Sequence, residues 1–311
     1  MIAPPESVPD RSVAATEPVI APLAQIRTWF GVGGGASRYC EPTSEAQLAR
    51  CLAIDPKMRV LGDGANLLVD DDGVDDLVVS LTAGEFTAIA IDGERATVGA
   101  GVKLPRLISR FASEGLAGIE GLGGIPATIG GAVVMNAGGA FGQIADVVSV
   151  VHGLDRDGER VSLRREEIGF SYRHSGLNGL IITRVELSLT RDDPTKLRQK
   201  MAEVIEYKKN SQPLGDNSAG CCFKNPTLRG DVEGVGKAGT RVSAGMVIDR
   251  AGLKGLRIGS AEVSRLHANF LVADKGGRAR DVIELIAEVT KRVRDRFGIE
   301  LETEVVVWRK S

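Results

Sequence analysis

Gly118-Ile-Glu-Gly-Leu-Gly-Gly-Ile-Pro-Ala-Thr-Ile-Gly-Gly-Ala-Val-Val-Met-Asn-Ala-Gly-Gly139 holds eight glycines among 22 residues, a single charge at Glu120, and Thr128 and Asn136 as isolated polar handles. Without a Cβ the backbone can approach a ligand closely, and successive N–H groups can then line an anion site. A long, nearly uncharged wall of this kind suits a large flat cofactor that carries phosphates. A glycine-rich buried loop is the competing structural reading. The chain has 39 glycines in all, clustered at 31–35, 62–64, 115–142 and 252–259 with no repeat every third residue. Clustering of this kind marks places where backbone comes near a ligand.

A second segment, Leu61-Gly-Asp-Gly-Ala-Asn-Leu-Leu-Val69, sets two glycines and an asparagine directly after a strand-like run. There the backbone amides can cradle an anion, or the chain can make a tight turn. Two other glycine texts are decoys. Gly31-Val-Gly33-Gly-Gly-Ala36 has the spelling of a dinucleotide fingerprint, but Arg38-Tyr-Cys-Glu-Pro42 follows, and Pro42 ends the helix that motif needs. Gly236-Lys237-Ala238 lacks both the leading glycine and the hydroxyl of a nucleoside-triphosphate loop.

Outside these segments, short β-branched runs at 59–61, 77–81, 87–91, 95–98, 147–151 and 180–189 predict strands. Helical spacing predicts three helices: Leu104, Leu107, Ile108 and Phe111 ahead of Gly115; Leu197, Met201, Val204 and Ile205; and Val282 through Val293 ahead of Gly298. Strands and helices alternate without a strict βαβ rhythm, so the expected class is α+β and not a doubly wound sheet. At 311 residues the chain exceeds what one core usually organises. Composition divides it at about 27–82, 83–212 and 213–300, with a terminal strand over 301–308. Residues 1–26, with five prolines and no apolar signal core, read as a mobile leader.

The 39 basic and 41 acidic residues give a formal charge of -2, which argues against a nucleic-acid partner or an anionic membrane surface. No apolar run approaches the roughly 20 residues that span a bilayer. Cys40, Cys51, Cys221 and Cys222 match no zinc-knuckle or CxxC spacing, so no metal site is expected and a reduced, cytoplasmic chain fits best.

The two glycine segments, together with Gly169-Phe-Ser-Tyr-Arg-His-Ser175, Ser218-Ala-Gly-Cys-Cys-Phe-Lys-Asn-Pro226, Ala244-Gly-Met-Val-Ile-Asp249 running on to His267-Ala-Asn-Phe270, and Phe297-Gly-Ile-Glu-Leu-Glu-Thr-Glu-Val305, resemble the UDP-N-acetylenolpyruvoylglucosamine reductase (MurB) family. The six segments stand in the family's order. The resemblance implies an α+β, vanillyl-alcohol-oxidase-type (PCMH) FAD fold. Residues 27–82 and 83–212 become two FAD lobes, 213–300 a smaller substrate-binding domain, and 301–311 a strand with the catalytic glutamate. It also implies non-covalent FAD, NADPH as hydride donor, and reduction of an enolpyruvyl UDP-sugar during cytoplasmic peptidoglycan precursor synthesis by a monomer.

Carried onto this chain, the resemblance makes Gly62, Asp63, Gly64, Ala65, Asn66 and Leu67 cofactor contacts, and likewise Gly123, Gly124, Ile125, Thr128, Gly130, Gly131, Asn136 and Ala137. Arg173 becomes the catalytic arginine, Cys221 the proton donor and Glu304 the catalytic acid or polariser. Tyr172, Lys224, Asn225, His267 and Asn269 would serve the substrate. Three departures stand out. Ala65 replaces a usual serine, Ala127 a usual glycine, and Cys221 the usual serine donor. Only 48 positions separate Arg173 from Cys221, which leaves no room for the tyrosine-bearing insertion of the longer branch.

The chemistry wants such groups. Hydride addition to an enolpyruvyl ether puts negative charge on the adjacent carbon and its carboxylate, which an arginine can grip in bidentate fashion. Read alone, Arg173 fits a surface ion pair equally well. A thiol with an ordinary pKa near 8.5 is a competent, mostly protonated donor at neutral pH. In an extended segment adjacent side chains face opposite ways, so Cys221 is expected at the site and Cys222 in the core. Alternation puts Glu302 and Glu304 on one face, and by itself suggests two solvated residues. Two rival readings are a different flavin oxidoreductase of the same superfamily and a flavin or nucleotide-sugar binding module without catalysis.

Overall fold

Helical spacing and glycine punctuation account for much of the computed structural model, which describes residues 17–310. Helix α1 (Glu45–Ile54) is one that spacing does not single out, because Glu45 interrupts its buried face of Leu48, Cys51 and Leu52. Ser44 starts it, accepting from the Gln47 amide. Helix α2 (Leu104–Ser113) buries Leu104, Leu107, Ile108 and Phe111 as predicted. Helix α3 (Ile129–Val134) rises inside the glycine stretch, capped by Thr128.

Helix α4 (Pro194–Ser211) begins with proline behind Asp193, whose carboxylate accepts from the Thr195 and Lys196 amides. Helix α5 (Ala244–Arg250) starts at Ser243. Helix α6 (Ala279–Phe297) buries the predicted Val282-to-Val293 stripe and stops at Gly298, left-handed at φ 67°. Among the described residues, no helix is long and apolar enough to cross a membrane.

The first sheet runs Ile20–Ala24, Ala36–Cys40, Val74–Ser80, Arg59–Leu61, antiparallel in its first pair and parallel in the others. Ile20–Ala24 corrects the leader reading for those residues. Pro22 sits on an edge strand, where a missing N–H costs little, and Ile20 packs on the core. The rest of the expected leader, 1–16, lies outside the described residues. The second sheet, Arg160–Arg164, Val148–Leu154, Ile181–Ser188, Arg95–Gly99, Ile89–Asp92, is antiparallel throughout. The predicted strand at 87–91 starts late because Gly84–Thr87 is a 3-10 turn.

One apolar core runs from Cys40 to Leu189 and joins α1, α2 and α3 to the second sheet, so it crosses the division read at 82/83. A separate core holds Ala219 through Val305 and takes in Phe30, Val32 and Leu68. Leu67 and Val69 turn the other way into a small third cluster, so the strand Leu67–Val69 stands between two bodies.

The terminal strand expected over 301–308 is split. Thr303 bridges Phe223 on the substrate side, whereas Val306–Trp308 pairs in parallel with Leu67–Val69. No single partner strand spans both bodies, and the chain changes partner at Glu304.

Candidate active site

Tyr172 and Arg173 form the tip of a tight hairpin in which Ser171 and His174 exchange backbone hydrogen bonds of 2.8 and 3.2 Å. Arg173 takes φ 55°, a left-handed conformation uncommon for a residue with a side chain. Such strain persists only where surrounding contacts over-determine it, and it concentrates at functional sites. Opposite stands Glu304, whose N–H donates to the Cys222 carbonyl at 2.8 Å. Arg173 Nε lies 2.7 Å from Glu304 Oε1. At that distance the two partly buried groups form a close ion pair. Burial pushes the Glu304 carboxyl above its ordinary value, while the Arg173 and Lys224 charges pull it back.

In the segment through Cys221, burial is uneven, with Cys222 and Phe223 both fully buried. Cys222 is fully buried in the second core, while Cys221 keeps some exposure. Burial, reinforced by the Glu304 charge and opposed by Arg173, pushes the Cys221 thiol up to about 12. The acidity expected of an ordinary thiol is therefore reduced here.

The two glycine segments meet at Gly62 and Thr128. A Cβ on Gly62 would stand 3.0 Å from Thr128 Oγ1, and one on Gly131 would stand 3.4 Å from the same oxygen. A methyl on Gly62 would press on Thr128 across the gap between the walls, so this glycine keeps open a cradle that fits FAD. Leu67 and Gly130 face inward instead, Leu67 into the third cluster and Gly130 against Ala100. Ile125 and Ala137 lie partly buried against the large core.

The asparagines of the cradle spend their side chains on neighbouring chain. Asn66 Nδ2 donates to the Glu304 carbonyl at 3.0 Å. Asn136, left-handed at φ 42°, donates to the Ser171 carbonyl at 2.9 Å. One wall is thus tied directly to the Glu304 segment and the other to the Arg173 hairpin. Sequence reasoning missed Lys208, because nothing in α4 marks it from Lys209. Its Nζ donates to the Gly123 carbonyl at 2.6 Å, and burial with the Arg173 charge lowers its amine to about 8.

Beside the hairpin opens a cleft of about 430 Å³ lined by Tyr172, Lys224, Asn225, Arg229, Arg241 and Glu302. Lys224 Nζ pairs with Glu302 at 2.5 Å. The Arg241 guanidinium lies 4.4 Å from the Tyr172 ring centre, and that of Arg173 lies 5.2 Å from the same ring. Arg229 and Arg241 were not legible as site residues, since isolated arginines in a loop carry no spacing signal.

His267 and Asn269, expected to serve the substrate, do not line this cleft. The Asn269 side chain accepts the Phe223 N–H at 2.9 Å, donates to the Phe223 carbonyl at 2.8 Å and also hydrogen-bonds the Cys221 thiol. His267 Nδ1 accepts the Asn269 N–H at 3.2 Å, and burial lowers its pKa. Both act here by holding the Cys221 segment in place.

Comparison with known proteins agrees with this layout. The family model for the FAD binding domain matches residues 36–164, and that for the UDP-N-acetylenolpyruvoylglucosamine reductase C-terminal domain matches 212–308. The UDP-N-acetylenolpyruvoylglucosamine reductase of Thermus thermophilus is 44% identical over 279 residues, 89% of this chain and 95% of the relative. That of Moorella thermoacetica is 39% identical over 293 residues, 92% of this chain and 91% of its own length. The crystal structure of UDP-N-acetylenolpyruvylglucosamine reductase from Thermus caldophilus superposes with a TM-score of 0.77 at 41% identity, covering 94% of this chain and 99% of that one. With relatives this similar over nearly their whole length, and with the α+β FAD fold in place, the chain belongs to the UDP-N-acetylenolpyruvoylglucosamine reductase family.

Proposed function

We propose that this protein reduces UDP-N-acetylenolpyruvoylglucosamine to UDP-N-acetylmuramate, with NADPH as hydride donor, as a cytoplasmic monomer in peptidoglycan precursor synthesis. The observation that carries the reading is the strained Arg173 paired with partly buried Glu304 beside Cys221, at the rim of a glycine cradle. Bound FAD supplies the hydride relay between the two substrates. Residues 27–212 hold the cofactor and 213–300 receive the nucleotide sugar.

The partly buried Arg173 guanidinium grips the enolpyruvyl carboxylate and meets the charge that develops there. Cys221 gives its proton to the carbon next to that carboxylate. A thiol raised to about 12 is a reluctant acid, and its proton moves only once charge builds on that carbon. Glu304, held by backbone to Cys222 and by charge to Arg173, orients the pair. Lys224, Arg229 and Arg241 give the cleft three cations for a diphosphate, and Tyr172 offers a ring face.

The test is an anaerobic cycle of flavin bleaching by NADPH and colour recovery on adding the enolpyruvyl sugar. Cys221→Ala is expected to bleach normally and recover no colour, and Cys221→Ser to recover it. Equal recovery by all three proteins removes Cys221 from the mechanism. Wild-type protein that bleaches but never recovers is a binding module and not this enzyme.

A further inference from the structure

The seam between the two glycine walls carries an ion pair that the family resemblance does not assign. Lys103 lies just before α2, and its backbone bridges Thr128 while the adjoining Leu104 N–H donates to the Ala127 carbonyl at 2.8 Å. Its ammonium sits 2.9 Å from Asp63 Oδ1, in the loop of the first wall. Lys103 therefore reaches both cradle segments, the Thr128 segment by its backbone and Asp63 by its side chain. The Lys103 side chain is 64% exposed and Asp63 only 17%, so the carboxylate is fixed and the ammonium can move. The same loop has Ala65, with no hydroxyl to offer.

We infer that Lys103 is a cofactor-binding residue of this chain, a cation that meets the dinucleotide's diphosphate across the seam, and that Asp63 positions it. A diphosphate placed beside the Asp63 carboxylate alone would be repelled. With Lys103 the seam becomes neutral, and the ammonium adds a charge-assisted hydrogen bond where the serine hydroxyl is missing.

The experiment uses the holoenzyme and reads flavin release on dilution from the rise in free-flavin fluorescence, at low and high salt. Lys103→Met is expected to weaken retention by about tenfold, the worth of one hydrogen bond to a charged group, and to reduce its salt dependence. Lys103→Arg should keep most of it. The decisive comparison is Asp63→Asn with and without Lys103→Met. If Lys103 contacts the cofactor, the double variant still releases flavin several-fold faster than Asp63→Asn alone. If Lys103 only cancels the Asp63 charge, the double variant matches Asp63→Asn and the inference falls. It falls equally if Lys103→Met retains flavin as wild type does, and melting curves of the flavin-free proteins separate a folding defect from lost binding.

Discussion

Arg173 concentrates several demands in one residue: a left-handed backbone, a partly buried charge, and a carboxylate partner 2.7 Å away. A lysine at this position would keep the charge but lose the planar fork that matches a carboxylate. Arg173→Lys is therefore expected to slow flavin reoxidation by the enolpyruvyl sugar by about 100-fold, the scale of losing one transition-state donor. Bleaching by NADPH should stay within about threefold, since one lost interaction is confined to one half-reaction. Stopped-flow absorbance of the two half-reactions checks this, and equal slowing of both would place Arg173 in hydride entry instead. At this scale the sequence was readable where a local rule applied. The expectation that Cys222 is the core member of the pair came from strand alternation alone, and Cys222 is the more buried of the two. It was unreadable where a side chain's partner lies far along the chain. Asn269 answers to Phe223 and Asn66 to Glu304, and no spacing reveals which acceptor an amide finds.

Among elements, the C-terminal segment matters most to the site, because it stitches two bodies together through Glu304. Upstream, the Lys224 N–H donates to the Glu302 carbonyl and the Glu304 N–H to the Cys222 carbonyl; downstream, the Val306 N–H donates to the Asn66 carbonyl at 3.0 Å. Proline at 306 would delete that last bond on an otherwise half-exposed strand, with a cost of about 1 kcal/mol. Val306→Pro should fold with a slightly lower urea midpoint. It should release flavin faster and slow reoxidation, because Asn66 belongs to the first glycine wall. An unchanged release rate would uncouple the strand from the cradle. The three helices with a clean 3.6-residue stripe were legible, as was the stop at Gly298. The 301–308 run was legible as extended chain but not as two half-strands, since apolar alternation records burial and not which neighbour provides it. Ile20–Ala24 was hidden because its Pro22 is one of the five prolines that made 1–26 read as a leader, although proline is tolerated on an edge strand.

For the whole molecule, the buried ionisable groups set an alkaline limit. Burial pushes Cys51 and Cys222 up to about 12, as it does Cys221, and raises Cys40, whose sulfur lies 3.7 Å from that of Cys51. Unfolded thiols lose their protons near pH 8.5. The folded chain therefore holds more thiol protons than the unfolded one from about pH 8.5 towards 12, and the stability these groups contribute is lost as pH rises through that window. Lys208 works the other way. Its folded amine titrates at about 8, below the unfolded value, so on its own it adds stability as pH rises from about 8 to 10.4. Several thiols outweigh one amine, and unfolding free energy should fall between about pH 8.5 and 10.5. Urea titrations under reducing conditions at these pH values check the sign. Cys51→Ala lowers the whole curve by opening a cavity in the large core, yet it should flatten the decline, because one of the opposed protons is gone. A stability that rises over this range would mean that Lys208, and not the thiols, dominates the alkaline balance of the fold.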